Sequence, residues 1–167
     1  MLGNRLGESQ ALAYLAERPA RQGDQACALE MTLESATIAH EVGWSWWEAG
    51  QLLGAATLER ERGNLGAAEG YALRSLELGD GQGNRQHIVF SAAELAIIAA
   101  ERGDSARAGL LWGAVETEAS AGRLGLWASR ADELEALVLR ADGPAFSQAR
   151  AEGRLLTIPQ AAGLAPI

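Results

Sequence analysis

The chain has 167 residues, 48% of them hydrophobic, and a formal net charge of −8. That length and apolar content suit a packed globular core and exclude a disordered chain. The acidic balance argues against a surface built to hold nucleic-acid phosphates. All 14 basic residues are arginine, which excludes Schiff-base chemistry and a phosphate-loop lysine, and the single cysteine, Cys27, excludes an internal disulfide.

The spacing predicts a first helix from Ser9 to Gln22, where Ala11, Leu12, Leu15 and Ala16 recur at three- and four-residue steps. Gly23 can take the left-handed conformation that closes it, and Asp24 can cap the next helix. A second helix follows from about Gln25 to Val42, ended by Gly43. The same bend returns 40 residues on as Arg62-Gly63-Asn64 and again as Arg102-Gly103-Asp104. Ala28, Ala68 and Ala108 keep the step, as do Ala16, Ala56 and Ala96. Around these bends the pattern pairs about Trp44–Arg62 with Leu65–Leu78, and Arg85–Arg102 with Ser105–Ala121. Gly79-Asp80-Gly81-Gln82-Gly83-Asn84 reads as the most flexible internal link. Beyond Gly122 the register is lost: Leu126–Arg140 predicts a helix, Pro144 suits the first turn of another running to about Arg154, and a short one begins near Thr157.

A fixed period of this size marks a repeat array whose hairpins bury their apolar faces only by stacking. The predicted fold is therefore all-α, an antiparallel helical-hairpin array forming one domain over residues 1–167, and its hairpins resemble tetratricopeptide repeats with the period stretched to 40. Its repeats span about 8–43, 44–83 and 84–122, with a helical cap over 123–167. Cys27, between Ala26 and Ala28, reads as a small packing residue.

Chemistry-bearing motifs are sparse. His40-Glu41-Val42-Gly43-Trp44 opens like a zinc-protease helix but lacks the second histidine, and His87 is far away in sequence. The glycines at 79, 81 and 83 follow a helix where a dinucleotide loop needs a strand. No G-x-S-x-G nucleophile segment occurs. No cofactor, metal or enzymatic activity is expected. The start, Met1 to Glu8, lacks the apolar run of a secretory signal. The longest apolar stretch, Ile88 to Ala100, is too short to span a bilayer and contains Glu94. A cytoplasmic location is the expectation.

The most unusual local feature is the trio Trp44, Trp46 and Trp47. Tryptophans bury large areas with few rotatable bonds and are enriched in binding hot spots. On a helix 44 and 47 share a face and 46 lies well round from both. Trp44, Trp47, Gln51, Arg85 and His87 are the candidate lining of a partner-binding groove. That placement assumes that the first helix of each pair lines the concave side. The expected partner is a protein or peptide. A small-molecule pocket between hairpins and a homo-oligomerising spacer are the alternatives.

The segment Glu101-Arg102-Gly103-Asp104-Ser105-Ala106-Arg107-Ala108, followed by Leu111-Trp112-Gly113-Ala114 and later by Ala151-Glu152-Gly153-Arg154, is similar to the carboxy-terminal end of large bacterial ATP-binding regulators. These include LuxR-type and antibiotic-regulatory transcription factors and some nucleotide cyclases. The likeness covers residues 44–165. It implies a sensor or partner-docking end whose partners include other domains of the same regulator. It supplies no catalytic residue, and the nucleotide-binding motif G-x-x-x-x-G-K-[ST] is absent from this lysine-free sequence. Nor does it imply direct contact with nucleic acid or membrane.

Overall fold

The structure, a computed structural model, describes residues 2–164. It is an all-α helical repeat array. In chain order the helices are α1 (Leu2–Arg21), α2 (Gln25–Glu41), α3 (Ser45–Glu61), α4 (Leu65–Gly81), α5 (Arg85–Glu101) and α6 (Ser105–Ser120). Then come α7 (Trp127–Val138), a 3-10 turn at Leu139–Ala141, α8 (Pro144–Gly153) and α9 (Ile158–Ala162). Residues 165–167 of the expected cap lie outside the described residues.

The same turn closes five successive helices. Gly23, Gly43, Gly63, Gly83 and Gly103 all have positive φ, between 62° and 81°. Each glycine N–H donates to the carbonyl three residues back, and the next residue donates to the carbonyl five back, as in Asp24 N to Pro19 O (2.9 Å) and Asp104 N to Ala99 O (2.9 Å). This paired arrangement satisfies carbonyls that a helix end leaves open, and a left-handed residue makes it possible. The turn thus recurs every 20 residues, half the period visible in the letters alone. Asp24, Asn84 and Asp104 then cap the following helix through the amides of Cys27, His87 and Arg107. Trp44 stands at the equivalent position before α3 and makes no side-chain cap.

The chain divides into two compact units, Met1–Leu78 and Gly79–Ile167. In the first, α2 packs against both α1 and α3. Its centre includes a hydroxyl pair: Ser35 Oγ donates to the Ser9 carbonyl at 2.7 Å and Ser9 Oγ to the Ser35 carbonyl at 2.8 Å, with both residues fully buried. The pair returns 40 residues later as Ser75 Oγ donating to the Ala49 carbonyl at 2.8 Å. At the third occurrence both positions are valines, Val89 and Val115, each fully buried. Polar and apolar solutions thus fill one repeat position, because a buried hydroxyl is tolerated only when bonded. Ser35→Ala should destabilise the first unit by about 1–2 kcal/mol in urea unfolding, since it strips partners from Ser9 and from the Trp47 indole.

In the second unit α5 is buried without interruption from Ser91 to Ala99. A helix apolar all round needs neighbours on every side, and α6, α7, α9 and the 3-10 turn supply them. Helices α6 and α8 approach so closely that backbone meets backbone. A Cβ placed on Gly109, Gly113 or Gly153 would come within 3.0 Å of the carbonyl oxygen of Phe146, Arg150 or Leu110 respectively.

Three details differ from the expectations. α1 begins at Leu2 rather than Ser9, held early by Arg5, which bridges Glu8 and Glu41. Its buried stripe contains Ser9 and Ala16, while Ala11 and Leu15 face outward. The first half of the 79–84 link is helix, since α4 runs through Gly79 to Gly81. A helix-interior glycine costs about 1 kcal/mol, but Gly79 is buried where a Cβ would stand 2.9 Å from the His87 Cβ, so only hydrogen fits.

Candidate functional site

Trp44 at the N-cap of α3 and Trp46 and Trp47 in its first turn form one aromatic cluster. Trp44 and Trp47 stack with centroids 5.0 Å apart and planes at 12°. Trp46 leans on both, at 6.4 Å and 5.9 Å. The Trp47 indole N–H donates to Ser35 Oγ at 3.2 Å, so the buried hydroxyl pair of α1 and α2 fixes this ring. From α1, Tyr14 joins at 6.5 Å from Trp47.

The cluster is anchored from beneath and open above. Tyr14 is 66% exposed, Leu15 57% and Trp46 47%. Single exposed apolar residues are ordinary; Tyr14 and Trp46 beside two stacked tryptophans amount to a patch. Pro19, inside α1, has no N–H to donate to the Leu15 carbonyl. Gln51 is half-buried one turn along α3 from Trp47.

The other two candidate residues belong to the second unit. Arg85 Nε donates to Glu118 Oε1 at 2.6 Å and its Nη2 to the Glu118 carbonyl at 2.7 Å, so the guanidinium ties α5 to the end of α6. His87 is buried at 7% exposure. Burial holds its pKa below the ordinary histidine value and favours the neutral ring. Of the five residues, Trp44 and Trp47 are brought into contact. Tyr14 and Trp46 belong to the patch although only the tryptophan stood out in the sequence.

Concave surfaces lie elsewhere. The first unit has a cavity of about 460 Å³ whose lining includes His40, Glu48, Tyr71 and Arg74. There Glu48, 7% exposed, meets His40 Nδ1 at 3.2 Å. The second unit has one of about 570 Å³ beside Asp80, Glu118 and Gln160, and one of about 290 Å³ beside Trp112 and Trp127. Among the described residues no group of three or more His, Cys, Asp or Glu could hold a metal ion. No described helix is long and apolar enough to cross a membrane. Cys27 is a free, half-buried thiol.

These features define an all-α helical repeat protein with an exposed aromatic patch on its first unit. The chain matches no protein-family model, no curated protein and no solved structure.

Proposed function

We propose that this chain is a protein-binding repeat module of tetratricopeptide type, and that it serves as the sensor or partner-docking part of a bacterial transcription or signalling regulator in the cytoplasm. The observation that carries the binding reading is Trp44 at the N-cap of α3. Asp or Asn occupies the corresponding position at residues 24, 64, 84 and 104. A residue that cannot cap forgoes about 1 kcal/mol. Local rules broken without a structural gain concentrate at functional positions, and here the exception opens the exposed aromatic cluster.

A peptide segment presenting aliphatic or aromatic anchors would seat its side chains against Trp46 and Tyr14, with Trp44 and Trp47 as a rigid floor. Gln51 offers an amide for the peptide backbone. Arg85 is committed to Glu118 and His87 is enclosed, so the aromatic residues carry the recognition. The regulator reading rests on the sequence likeness of the 101–116 and 151–154 segments.

Random peptides displayed against the full chain should enrich sequences with spaced apolar anchors. Trp46→Ala and Tyr14→Ala, both at exposed sites, should each weaken the selected peptides by about tenfold or more. Failure to enrich any peptide, or equal binding by the double variant, would sink the binding reading. Light scattering over a dilution series separates capture of a peptide from pairing of two copies through the same patch. The regulator reading is tested apart, by immunoblot of the native product: a mass well above 17.6 kDa is expected.

A further inference from the structure

The cavity of the first unit, about 460 Å³, falls within the size range of small-ligand sites, and Leu33, Ala36, Leu52 and Tyr71 give it an apolar wall. Glu48 breaks that wall. The residue is 7% exposed and bonds only through Oε2, which meets His40 Nδ1 at 3.2 Å. Oε1 has no partner among the described residues and is not closed to solvent. With so little of Glu48 exposed, the solvent that reaches Oε1 stands in the cavity.

A carboxylate taken out of water needs a positive charge or several donors to offset the loss. Glu48 has little of either. Its place in the first turn of α3 brings roughly half a positive charge from the helix dipole, spread over that turn. His40 adds one ring nitrogen, from a side chain that is 68% exposed. Arg74 also lines the cavity, but its Nη1 bonds Glu77 at 3.3 Å, outside the lining, and half of its side chain lies in solvent. No described arginine is bonded to Glu48.

We propose that this cavity binds a primary amine carried on a small apolar body. The ammonium group donates to Glu48 Oε1, and the hydrocarbon part lies against Leu33, Leu52 and Tyr71. Each feature removes a competitor. A hydrated metal ion gains nothing from the apolar wall, and no second carboxylate lines the cavity to hold it. A neutral hydrocarbon leaves the buried charge uncompensated, and a carboxylic acid sets like charge against it. The site uses none of the residues of the first unit's aromatic patch, so it stands or falls independently of peptide capture.

The chain has two tyrosines, Tyr14 in the aromatic patch and Tyr71 at the cavity, so ring-¹³C-tyrosine labelling of the full chain reports on each site separately. Tyr14→Phe assigns the two signals. Phenethylamine and isoamylamine are titrated at neutral pH, each beside the alcohol of the same carbon skeleton, which keeps the body and lacks the charge. At least one amine should move the Tyr71 signal saturably and bind about tenfold or more tighter than its alcohol, the difference expected for a hydrogen bond to a charged group. Glu48→Gln keeps the shape and removes the charge. It should match the wild type in helical circular dichroism, and amine and alcohol should then bind alike. The comparison of amine with alcohol in the wild-type chain needs no variant. Three results would each overturn the proposal. One is that neither amine moves the Tyr71 signal up to its solubility limit, whether or not Tyr14 moves. Another is that each alcohol binds as tightly as its amine. The third is that the folded Glu48→Gln chain keeps the full advantage of the amine.

Discussion

Replacing Gly113 by alanine should destabilise the second unit by about 3 kcal/mol or more, although alanine is the better helix former. Propensity alone predicts the opposite sign, because an interior glycine costs a helix about 0.5–1 kcal/mol relative to alanine. At Gly113 the new methyl group would enter the space of the Arg150 carbonyl oxygen, and it would lie 2.9 Å from Arg154 N. Both neighbours are backbone, so no rotamer change relieves the contact and α6 must move off α8. Gly109 and Gly153 lock the same pair of helices from either side, which leaves little room for such a shift. Overpacking of this kind reaches or exceeds the usual 1–3 kcal/mol. Gly70, on α4, is the control: it is exposed and nothing lies within 4 Å of an added Cβ. Gly70→Ala should stabilise by about 0.5–1 kcal/mol. Urea unfolding of both variants, followed by helical circular dichroism and by hydrogen exchange of α6 and α8, checks the pair of signs. Equal effects at the two glycines would mean that the α6–α8 approach is looser than described.

The bends were legible because one residue type can make them. Gly23, Gly63 and Gly103 need positive φ, the residue after each is Asp or Asn, and both demands are local. The 20-residue step stayed hidden because Trp44 replaces a capping residue after Gly43, and because Gly79 and Gly81 crowd the approach to Gly83. A run of glycines reads as a linker unless the surface that excludes a side chain is known, and at Gly79 that surface is His87, on the next helix. The face of α1 was misread for a related reason. Ser9 is polar and belongs inside only because Ser35, 26 residues away, returns its hydrogen bonds. Leu15 is apolar yet lies outside. Within the aromatic cluster, the Trp44–Trp47 stack follows from positions three apart on one helix. The arrival of Tyr14 depends on how α1 packs, which no local pattern encodes. Gly113 and Gly153 stood in the two stretches that carry the family likeness, but their shared task appears only when α6 and α8 face each other.

Arg150 should prove the most costly charged residue to remove from the second unit, and the cost should depend on pH. Its guanidinium bonds both oxygens of Glu116, reaches Glu135 at 3.3 Å, and its Cζ lies 6.0 Å from the Phe146 ring centroid. Its side chain is 24% exposed and that of Glu116 is 25% exposed. Burial pushes the Glu116 carboxyl upward, but hydrogen bonds from Arg150 and Arg154 outweigh it and hold the pKa below the ordinary carboxylate value of 4.5. A carboxylate with a depressed folded-state pKa contributes stability that is complete above its unfolded pKa and is lost as pH falls through the folded one. Arg150→Met keeps the apolar stem over Phe146 and removes the charge. At neutral pH the variant should lose about 2–3 kcal/mol, since a partly buried carboxylate is left with Arg154 alone, and partial exposure discounts the larger penalty of a fully buried pair. Below pH 4.5 the wild type surrenders the same contribution as Glu116 takes up a proton, so the gap between the two proteins should close. Unfolding free energies for both, measured from pH 7 down to pH 3, give the comparison. A gap that stayed constant over that range would assign the loss to packing on Phe146 and Glu135 rather than to the Glu116 charge.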